Sequence, residues 1–405
     1  MNNIEIENLI TQKTKELSTL FEYADKISLC NQKKVLDAFK KNKVALRHFN
    51  GTTGYGYDDI GRDTLKRVYA DVFNAESACI TPNIVSGTHA ISLALYSVLN
   101  NGDKVLSISG MPYDTIQPVI FGKKMSLKSM GISFECVNLN GTDFNYSEIE
   151  KYNLQDYAMI YVQKSRGYDE REAISIENMK KAFEFIRNKG FNGCIFVDNC
   201  YGEFVEELEP TDVGADLIAG SLIKNIGGGI APTGGYVVGK AKYIDMVEAR
   251  LTTPPIAAEV GSYAFGYQYF YQGLFLAPHV VNQAIKGSLL IGAIMESLGY
   301  ETIPKAFETP YDITRSVKMN SEEKLVNFIQ AVQSVSPIDS YLTLVPWDMP
   351  GYENKVVMAA GCFVQGSSIE LSADAPIKPP YNAYIQGGLT FEHVVIALKE
   401  ILKNL

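Results

Sequence analysis

Residues 214–225 read Gly-Ala-Asp-Leu-Ile-Ala-Gly-Ser-Leu-Ile-Lys-Asn, an apolar run followed closely by Lys224, and three glycines follow at 227–229. A short apolar run of this kind predicts a buried strand. A lysine at the end of a buried strand is costly unless its charge is neutralised or used. One common use is a Schiff base, because a desolvated amine loses its proton readily and attacks carbonyl groups. Lys224 is therefore the first candidate catalytic residue.

A second apolar strand, residues 194–197, ends in Asp198. A carboxylate at this point can pair with a protonated pyridine nitrogen, and Ser221 can hydrogen-bond a phosphate beside Lys224. An acid and a lysine at successive strand ends form the arrangement that pyridoxal 5'-phosphate (PLP) enzymes need. Asn199 and Tyr201 could orient Asp198 or a substrate. The alternative is a structural ion pair between Lys224 and Asp198 at the sheet edge.

Short apolar strands alternate with helical segments through the middle of the chain, which predicts an α/β fold with a mostly parallel sheet covered on both faces. The predicted strands are residues 105–109, 134–139, 159–163 and 195–197, and the clearest helix is 176–188. Another helix is expected from about Asp63, which could cap it. The sequence turns helical again from about 240 to 290.

The two ends of the chain differ in character from this middle part. Residues 4–47 have helical periodicity, and a loop rich in glycine and tyrosine follows at 50–61. Beyond about 300, strands at 340–345, 356–361 and 368–371 alternate with helices at 322–333 and 391–402, which predicts a smaller α+β domain. The expected organisation is N-terminal helices and a loop (1–62), a large α/β domain (63–290) and a small α+β domain (291–405).

Composition excludes several classes of protein. The 405 residues are 46% hydrophobic and 20% charged with a net charge of −9, which is ordinary for a soluble globular protein and argues against a nucleic-acid binder. Six scattered cysteines without a C-x-x-C pair and only four histidines argue against a metal site and predict reduced thiols in a cytoplasm. The N-terminus lacks a signal-peptide pattern, and no apolar run approaches the ~20 residues that span a membrane.

Three further motifs place polar groups at the ends of predicted strands or helices. Ser86-Gly87-Thr88 opens a helix, where exposed N–H groups and the helix dipole bind anions, although plain helix capping is the alternative. Tyr113 follows a strand, where it could stack on a flat ring and transfer a proton, or simply pack in a turn. Lys164 and Arg166 follow another strand and could bind a substrate carboxylate, or lie in a solvated loop.

With these residues in place, the chain resembles the fold-type I PLP enzymes of cysteine and methionine metabolism. It is most similar to the methionine gamma-lyase-like proteins that are also labelled aluminium resistance proteins or cystathionine beta-lyases. The resemblance is carried by GYGYDDIGRDTL (54–65), IVSGTHA (84–90), QKSRGY (163–168), FVDNCYGEFVE (196–206), GADLIAGSLIKNIGGGIAPTGGYVVG (214–239), GLFLAPHVV (273–281) and GSSIELSADAP (366–376). It implies the fold-type I transferase fold, with a seven-stranded sheet between helices.

The resemblance also implies a role for each candidate residue. Lys224 would hold PLP as a Schiff base and move the Cα proton, Asp198 would pair with the pyridine nitrogen, and Tyr113 would stack on the ring. Four residues would hold the phosphate: Ser86, Gly87, Thr88 and Ser221. Tyr55 or Tyr57, with Arg62, would reach the phosphate of the neighbouring subunit in a homodimer that assembles into a homotetramer. The alternative is that Arg62 pairs with a nearby acid such as Asp59.

Two positions depart from the family pattern. Ile223 stands before Lys224, where relatives often carry a second hydroxyl, and Glu370-Leu371-Ser372 stands where relatives place an arginine that binds the substrate carboxylate. Anchoring of the substrate is therefore expected from Lys378, Arg166 or Arg171.

The function implied is PLP-dependent carbon–sulfur lyase action on a sulfur amino acid, by β- or γ-elimination to a thiol, ammonia and a 2-oxo acid. The alternatives are an aminotransferase or aldolase on the same fold, or a PLP-fold stress protein with little turnover.

Overall fold

A seven-stranded sheet forms the centre of the large domain in the computed structural model, which describes residues 1–349 and 352–404. Its strands are β1 (Ser77–Thr81), β2 (Lys104–Ser107), β3 (Ser133–Cys136), β4 (Met159–Gln163), β5 (Cys194–Asp198), β6 (Leu217–Ser221) and β7 (Gly235–Gly239). The order across the sheet is β1-β7-β6-β5-β4-β2-β3. Neighbours from β6 to β3 pair in parallel, whereas β7 pairs antiparallel with both β6 and β1. The mostly parallel, fold-type I sheet predicted from the sequence is confirmed.

Helices cover both faces of this sheet and form the N-terminal part of the chain. They are α1 (Asn3–Glu16), α2 (Ser18–Lys41), α3 (Ile60–Val72), α4 (Gly87–Val98), α5 (Gln117–Phe121), α6 (Tyr146–Ile149), α7 (Ile176–Asn188), α8 (Ala241–Leu251) and α9 (Gln268–Ser297). Strand β5 shows why the strands were visible in the sequence. Ile195 and Val197 enter one buried core with α7 and α9, while Cys194 and Phe196 enter a second core with α4 and α8. A strand buried on both faces is apolar at every position.

The small domain is built on a five-stranded antiparallel sheet of order β10-β11-β12-β9-β8. Its strands are β8 (Thr302–Ile303), β9 (Thr314–Lys318), β10 (Val356–Ala359), β11 (Ser372–Pro376) and β12 (Asn382–Gln386), and its helices are α10 (Glu322–Ser334) and α11 (Phe391–Asn404). Helix α9 runs through residue 290 and packs against both domains. By length and hydropathy it could cross a membrane, but 72% of its apolar window is buried inside the protein, as befits a core helix.

Several element boundaries predicted from the sequence are wrong. Helix α3 begins at Ile60 and is capped by Asp59, whose carboxylate accepts a hydrogen bond from the Arg62 N–H at 3.0 Å, so Asp63 is not the cap. Residues 340–345 form no strand, and the strand expected at 368–371 lies at β11 instead. Strand β9 was missed because it contains Arg315, a buried residue whose guanidinium bonds Thr302 and Ser288 rather than solvent.

Candidate active site

The carboxyl ends of the parallel strands open onto one cavity of about 260 Å³. Its lining contains all seven large-domain residues that the sequence predicted for catalysis and cofactor binding: Ser86, Gly87, Thr88, Tyr113, Asp198, Ser221 and Lys224. Open α/β sheets bind their ligands at this edge, in the crevice beyond the carboxyl ends of the strands. Residues of the small domain line the cavity from the other side: Thr314, Gly366, Asp374, Tyr384 and Gln386. The cavity between the two sheets is therefore the candidate active site.

Lys224 lies three residues beyond the end of β6 and presents its amine to this cavity. The amine donates hydrogen bonds to Tyr201 Oη at 2.5 Å and to Ser368 Oγ at 3.4 Å. Because the partners of the amine are hydroxyl groups, the alternative of a structural Lys224–Asp198 ion pair is wrong. Burial acts to lower the pKa of Lys224, but Tyr201 and Cys200 outweigh it and the pKa is raised above its ordinary value. In the cofactor-free chain the amine is therefore a cation, contrary to the expectation from desolvation alone.

Asp198 ends β5 and lines the cavity with its carboxylate. Its Oδ1 accepts a hydrogen bond from the Cys200 N–H at 3.1 Å, which fixes the orientation of the group. Burial raises the pKa of Asp198 from 3.8 to about 6, an effect that the hydrogen bond from Cys200 only partly offsets. A buried carboxylate of this kind is stabilised when a cation, such as a protonated ring nitrogen, lies beside it. The residue is placed to hold one.

The N-terminus of α4 faces the end of β6 across the cavity. Ser86 caps the helix, since its Oγ accepts a hydrogen bond from the His89 N–H at 3.1 Å. At Gly87 an added Cβ would lie 3.1 Å from Ser221 Cβ and 3.4 Å from Cys200 Sγ, so glycine allows the helix to approach the strand closely. Capping by Ser86 does not exclude an anion site, because the first turn of α4 and Ser221 line the same cavity. Together they form a candidate cradle for a phosphate.

Tyr113 follows β2 and is held in place by contacts on several sides. Its N–H donates to Gln163 Oε1 at 2.7 Å, and its hydroxyl lies 3.0 Å from the Tyr352 hydroxyl. Gly167 has a φ of +61°, and an added Cβ there would lie 2.7 Å from the Tyr113 ring, so only glycine allows the ring its position. Burial, reinforced by Tyr352, raises the pKa of Tyr113 well above its ordinary value. The hydroxyl therefore keeps its proton at neutral pH and can donate it.

Tyr201 and Ser368 are site residues whose contacts with the lysine the sequence did not reveal. Tyr201 was expected to orient Asp198, but its hydroxyl instead contacts Lys224 and lies 3.0 Å from Ser368 Oγ. Its φ of +70° turns the chain sharply after β5. Asn199 points away from the cavity and donates to Glu209 at 2.9 Å. The position of Tyr201, three residues after Asp198, could have indicated a site residue from the sequence. Nothing in the sequence around Ser368 indicates that it lies in the site.

Arg166 and Arg171 do not line the cavity, so the hypothesis that either anchors a substrate carboxylate is not supported by their placement. Arg166 is buried and donates to the carbonyls of Ile303 and Arg171 and to Ser316 Oγ. Arg171 donates to three backbone carbonyls, those of Gln163, Ser165 and Glu172. The Arg166 guanidinium group therefore links the large domain to the small one, and the Arg171 guanidinium group holds the loop after β4.

The two lysines considered with them also lie elsewhere. Lys164 is fully buried and pairs with Glu206 at 2.6 Å, so its ammonium group is neither a substrate anchor nor part of a solvated loop. Lys378 lies in a neighbouring depression that it shares with Asp114, Tyr168 and Tyr352.

The N-terminal loop does not reach the cavity of its own chain. Arg62 is 4% exposed and donates to the Gly56 carbonyl at 3.0 Å. Its side chain pairs with a nearby acid, as the alternative expected, although that acid is Asp63, at 2.9 Å, and not Asp59. Tyr55 and Tyr57 are 71% and 59% exposed, and their rings lie 5.5 Å apart. Within one chain these two tyrosines therefore form an aromatic surface pair.

These residues fit PLP as a group. An anion cradle at a helix N-terminus, a buried carboxylate for the pyridine nitrogen, and an amine between them match the phosphate, the ring and the aldehyde of the cofactor. Across residues 1–349 and 352–404, no group of three or more His, Cys, Asp or Glu side chains could hold a metal ion, and all six cysteines are unpaired.

Comparisons with known proteins agree with this fit. The family model described as methionine gamma-lyase matches residues 6–405. A carbon–sulfur lyase involved in aluminium resistance from Clostridium novyi is 46% identical, with a TM-score of 0.95 over 99% of this chain and 96% of that one. A Listeria monocytogenes protein, described as a candidate cystathionine beta-lyase involved in aluminium resistance, is 46% identical, with a TM-score of 0.96 over 98% and 99% of the two chains. The PLP-dependent protein YhfS of Escherichia coli shares the fold alone, with 16% identity and a TM-score of 0.62 over 94% and 97%.

Proposed function

The chain belongs to the methionine gamma-lyase family, and on that premise we propose that it is a PLP-dependent carbon–sulfur lyase. It acts on a sulfur amino acid and releases a thiol, ammonia and a 2-oxo acid. The observation that carries the proposal is the single cavity in which Lys224, Asp198, the phosphate cradle and the Tyr113 hydroxyl meet. The names of its solved relatives favour cystathionine as a substrate.

PLP, when bound, supplies an electron sink for the charge that develops at Cα of the substrate. Asp198 would pair with the protonated ring nitrogen, and the N-terminus of α4 with Ser221 would bind the phosphate. Lys224 would hold the cofactor in the resting enzyme. Once the substrate amine has displaced it, the free Lys224 amine would act as general base toward the Cα proton. Tyr201, 2.5 Å from the amine, positions it and lies between it and Ser368.

Tyr113 supplies the acid for the leaving group. Its hydroxyl is protonated at neutral pH because burial raises its pKa, and its hydrogen-bonding partner Tyr352 lies on the open side toward the neighbouring depression. A proton delivered to the departing sulfur turns a thiolate into a thiol, which is the better leaving group.

A substrate panel tests the proposal. The purified protein with PLP is incubated separately with cystathionine, cysteine, homocysteine and methionine, and the 2-oxo acid is identified. We expect a thiol and a 2-oxo acid from at least one of them. Pyruvate indicates β-elimination, and 2-oxobutyrate indicates γ-elimination or cleavage of cystathionine on its γ side. Accumulation of pyridoxamine phosphate without thiol release would instead identify an aminotransferase and contradict the lyase function.

We further propose that the active site is completed across a homodimer, within a homotetramer, by the loop that carries Tyr55, Tyr57 and Arg62. The exposure of the two tyrosines supports this, because aromatic pairs of this size are common at protein interfaces. Mixing an Arg62→Ala chain with a Lys224→Ala chain under exchange conditions should restore activity, since some mixed dimers regain one intact site. If confirmed subunit exchange restores no activity, each site is built within one chain.

Localisation in the cytoplasm is part of the same proposal. Six unpaired cysteines support it, because exposed thiols such as Cys30 persist where the surroundings are reducing.

A further inference from the structure

The active-site cavity is lined by one more carboxylate than PLP chemistry on an ordinary amino-acid substrate requires. Among the residues that the structure describes, the charged groups of the lining are Asp198, Asp374 and Lys224. Asp198 is placed for the ring nitrogen and Lys224 for the reacting amine. Asp374 has no part in that chemistry, although it lines the same cavity.

Asp374 lies in the middle of β11, on the small-domain side of the cavity. Its Oδ2 accepts a hydrogen bond from Gln386 Nε2 at 3.2 Å, and the same amide group donates to Ser372 Oγ at 3.2 Å. Gln386 is neutral, so this contact orients the carboxylate without neutralising it. Burial raises the pKa of Asp374, whereas Gln386 and Lys224 lower it. In the cofactor-free chain the Lys224 cation partly offsets this burial. In the loaded enzyme that amine would hold PLP, and a desolvated carboxylate with a neutral partner is then unfavourable unless another cation reaches it.

Tyrosine side chains line the same cavity as this carboxylate. Tyr384 lies opposite Asp374 in the pairing of β11 with β12, and its hydroxyl donates to the Tyr168 carbonyl at 2.6 Å. The Tyr168 ring lies 4.9 Å from the Tyr384 ring and 5.6 Å from the Tyr113 ring, measured between centroids. The Tyr168 hydroxyl is buried and has no hydrogen-bond partner among the described residues. Aromatic faces and an unpaired hydroxyl oxygen both attract an ammonium group.

The same cavity has no guanidinium group in its described lining. Arg166 and Arg171 are not among the lining residues, and their guanidinium groups donate to backbone carbonyls. Glu370 accepts hydrogen bonds from the N–H groups of Phe363 and Val364 at 2.9 Å each. Glu370 thus holds the loop that carries Gly366 to the cavity. The small domain presents to the substrate a carboxylate, Asp374, and not an arginine.

We propose, building on the lyase function above, that Asp374 and the Tyr168 hydroxyl bind a second ammonium group on the substrate. The preferred substrate is then a sulfur amino acid whose tail beyond the sulfur carries an amine, as in thioether-linked or disulfide-linked diamino acids. Methionine and other sulfur amino acids with an uncharged tail lack this contact. Asp374 is a specificity-determining residue.

Binding is tested with two ligands that contain no sulfur and differ only at the end of the side chain. Lysine carries a terminal ammonium group where 2-aminoheptanoic acid carries a methyl group. Each is titrated into the PLP-loaded protein, and the change in cofactor absorbance gives its dissociation constant. We expect lysine to bind at least about tenfold more tightly than 2-aminoheptanoic acid, equivalent to about 1.4 kcal/mol. Asp374→Asn, which keeps the shape and the contact with Gln386, should reduce this ratio to near one.

A matched control is Asp114→Asn, which removes a carboxylate from the neighbouring depression and not from the cavity. It should leave the ratio of the dissociation constants of lysine and 2-aminoheptanoic acid as in the wild type. Equal affinity of the wild type for the two ligands overturns the proposal without reference to any variant. A preference that persists in Asp374→Asn overturns it as well, because the cation would then be bound elsewhere.

Measurements of turnover distinguish failure of this proposal from failure of the lyase function on which it builds. S-(2-aminoethyl)cysteine and S-propylcysteine are the sulfur counterparts of the same pair, and both give pyruvate by β-elimination. We expect kcat/KM to favour the aminoethyl compound at least about tenfold in the wild type, and the preference to vanish in Asp374→Asn. If lysine is preferred in binding but neither compound, nor any member of the substrate panel, releases a thiol, the lyase function fails and the ammonium subsite stands. If both compounds are cleaved equally well, the subsite fails and the lyase function stands.

Discussion

Replacing Lys224 by alanine is expected to lower kcat for elimination by about 10⁴-fold, the upper end of what a positioned general base contributes. Lys224 is the only amine in the described lining of the cavity, and its hydrogen bonds to Tyr201 and Ser368 aim it at a single point. No neighbouring described side chain can take over the Cα proton with the same reach. Activity on the best substrate of the panel, measured under single-turnover conditions, checks this expectation.

The covalent role of Lys224 has a readout that does not depend on turnover. Borohydride reduction of the PLP-loaded wild type followed by peptide mapping should place the pyridoxyl label on Lys224. Lys224→Ala should still bind PLP through the phosphate cradle but carry no label there. Lys26→Ala, which removes an exposed lysine on α2, is the matched control and should retain both label and activity. A label on another lysine would show that the assignment is wrong.

Asp198→Asn should lower kcat by about 10²-fold or more while PLP still binds. The amide accepts the hydrogen bond from Cys200 as the carboxylate does, but it has no charge with which to keep the ring nitrogen protonated. A catalytic loss of this size is typical when one preorganised electrostatic contact is removed from a buried site. The measurement is kcat of the loaded variant, with the cofactor spectrum as evidence that the site is filled. Near-wild-type turnover would refute the role of Asp198.

The same variant should have the opposite effect on the stability of the cofactor-free protein. The folded pKa of Asp198 is raised from 3.8 to about 6, so the folded state binds its proton more tightly than the unfolded state. That contribution to stability is present at low pH and lost as the pH rises to about 6, and ionised Asp198 then destabilises the empty protein by up to roughly 3 kcal/mol. Asp198→Asn removes this penalty. Urea unfolding without PLP should show the variant to be more stable than the wild type at pH 8 and no more stable at pH 4. Equal stability at pH 8 would mean that Asp198 is not desolvated as described.

Much of the candidate catalytic centre can be predicted from the amino-acid sequence. Strands β5 and β6 are buried on both faces, so they are apolar at every position, and the polar residue that ends each of them is conspicuous. Asp198, Ser221 and Lys224 follow from this local pattern, and the capping residues at the start of α4 follow from another. These groups could be placed together because parallel strands bring their carboxyl ends to one edge of a sheet.

The substrate side of the cavity could not be derived in this way. Arg166 and Arg171 are cations at a strand end, the same signal that identified Lys224, yet their donors point to backbone carbonyls and away from the cavity. Arg166 donates to Ile303 on β8 and Ser316 on β9, more than a hundred residues further along the chain, whereas Arg171 donates to carbonyls within eight residues of itself. A charge in a loop therefore predicts a binding residue only when its alternative partners are known.

Local sequence patterns are sufficient to predict the α/β class, the strand ends that would bind the cofactor and the membership in a PLP-dependent family. Each of these depends on residues within about a dozen positions of one another. Tertiary structure alone places Ser368 beside Lys224, Tyr352 beside Tyr113 and Asp374 in the wall of the cavity. These contacts join segments that lie 144 and 239 residues apart in the first two cases. They exist only once the small domain has folded against the large one, which is why the identity of the substrate is decided there and not by any motif.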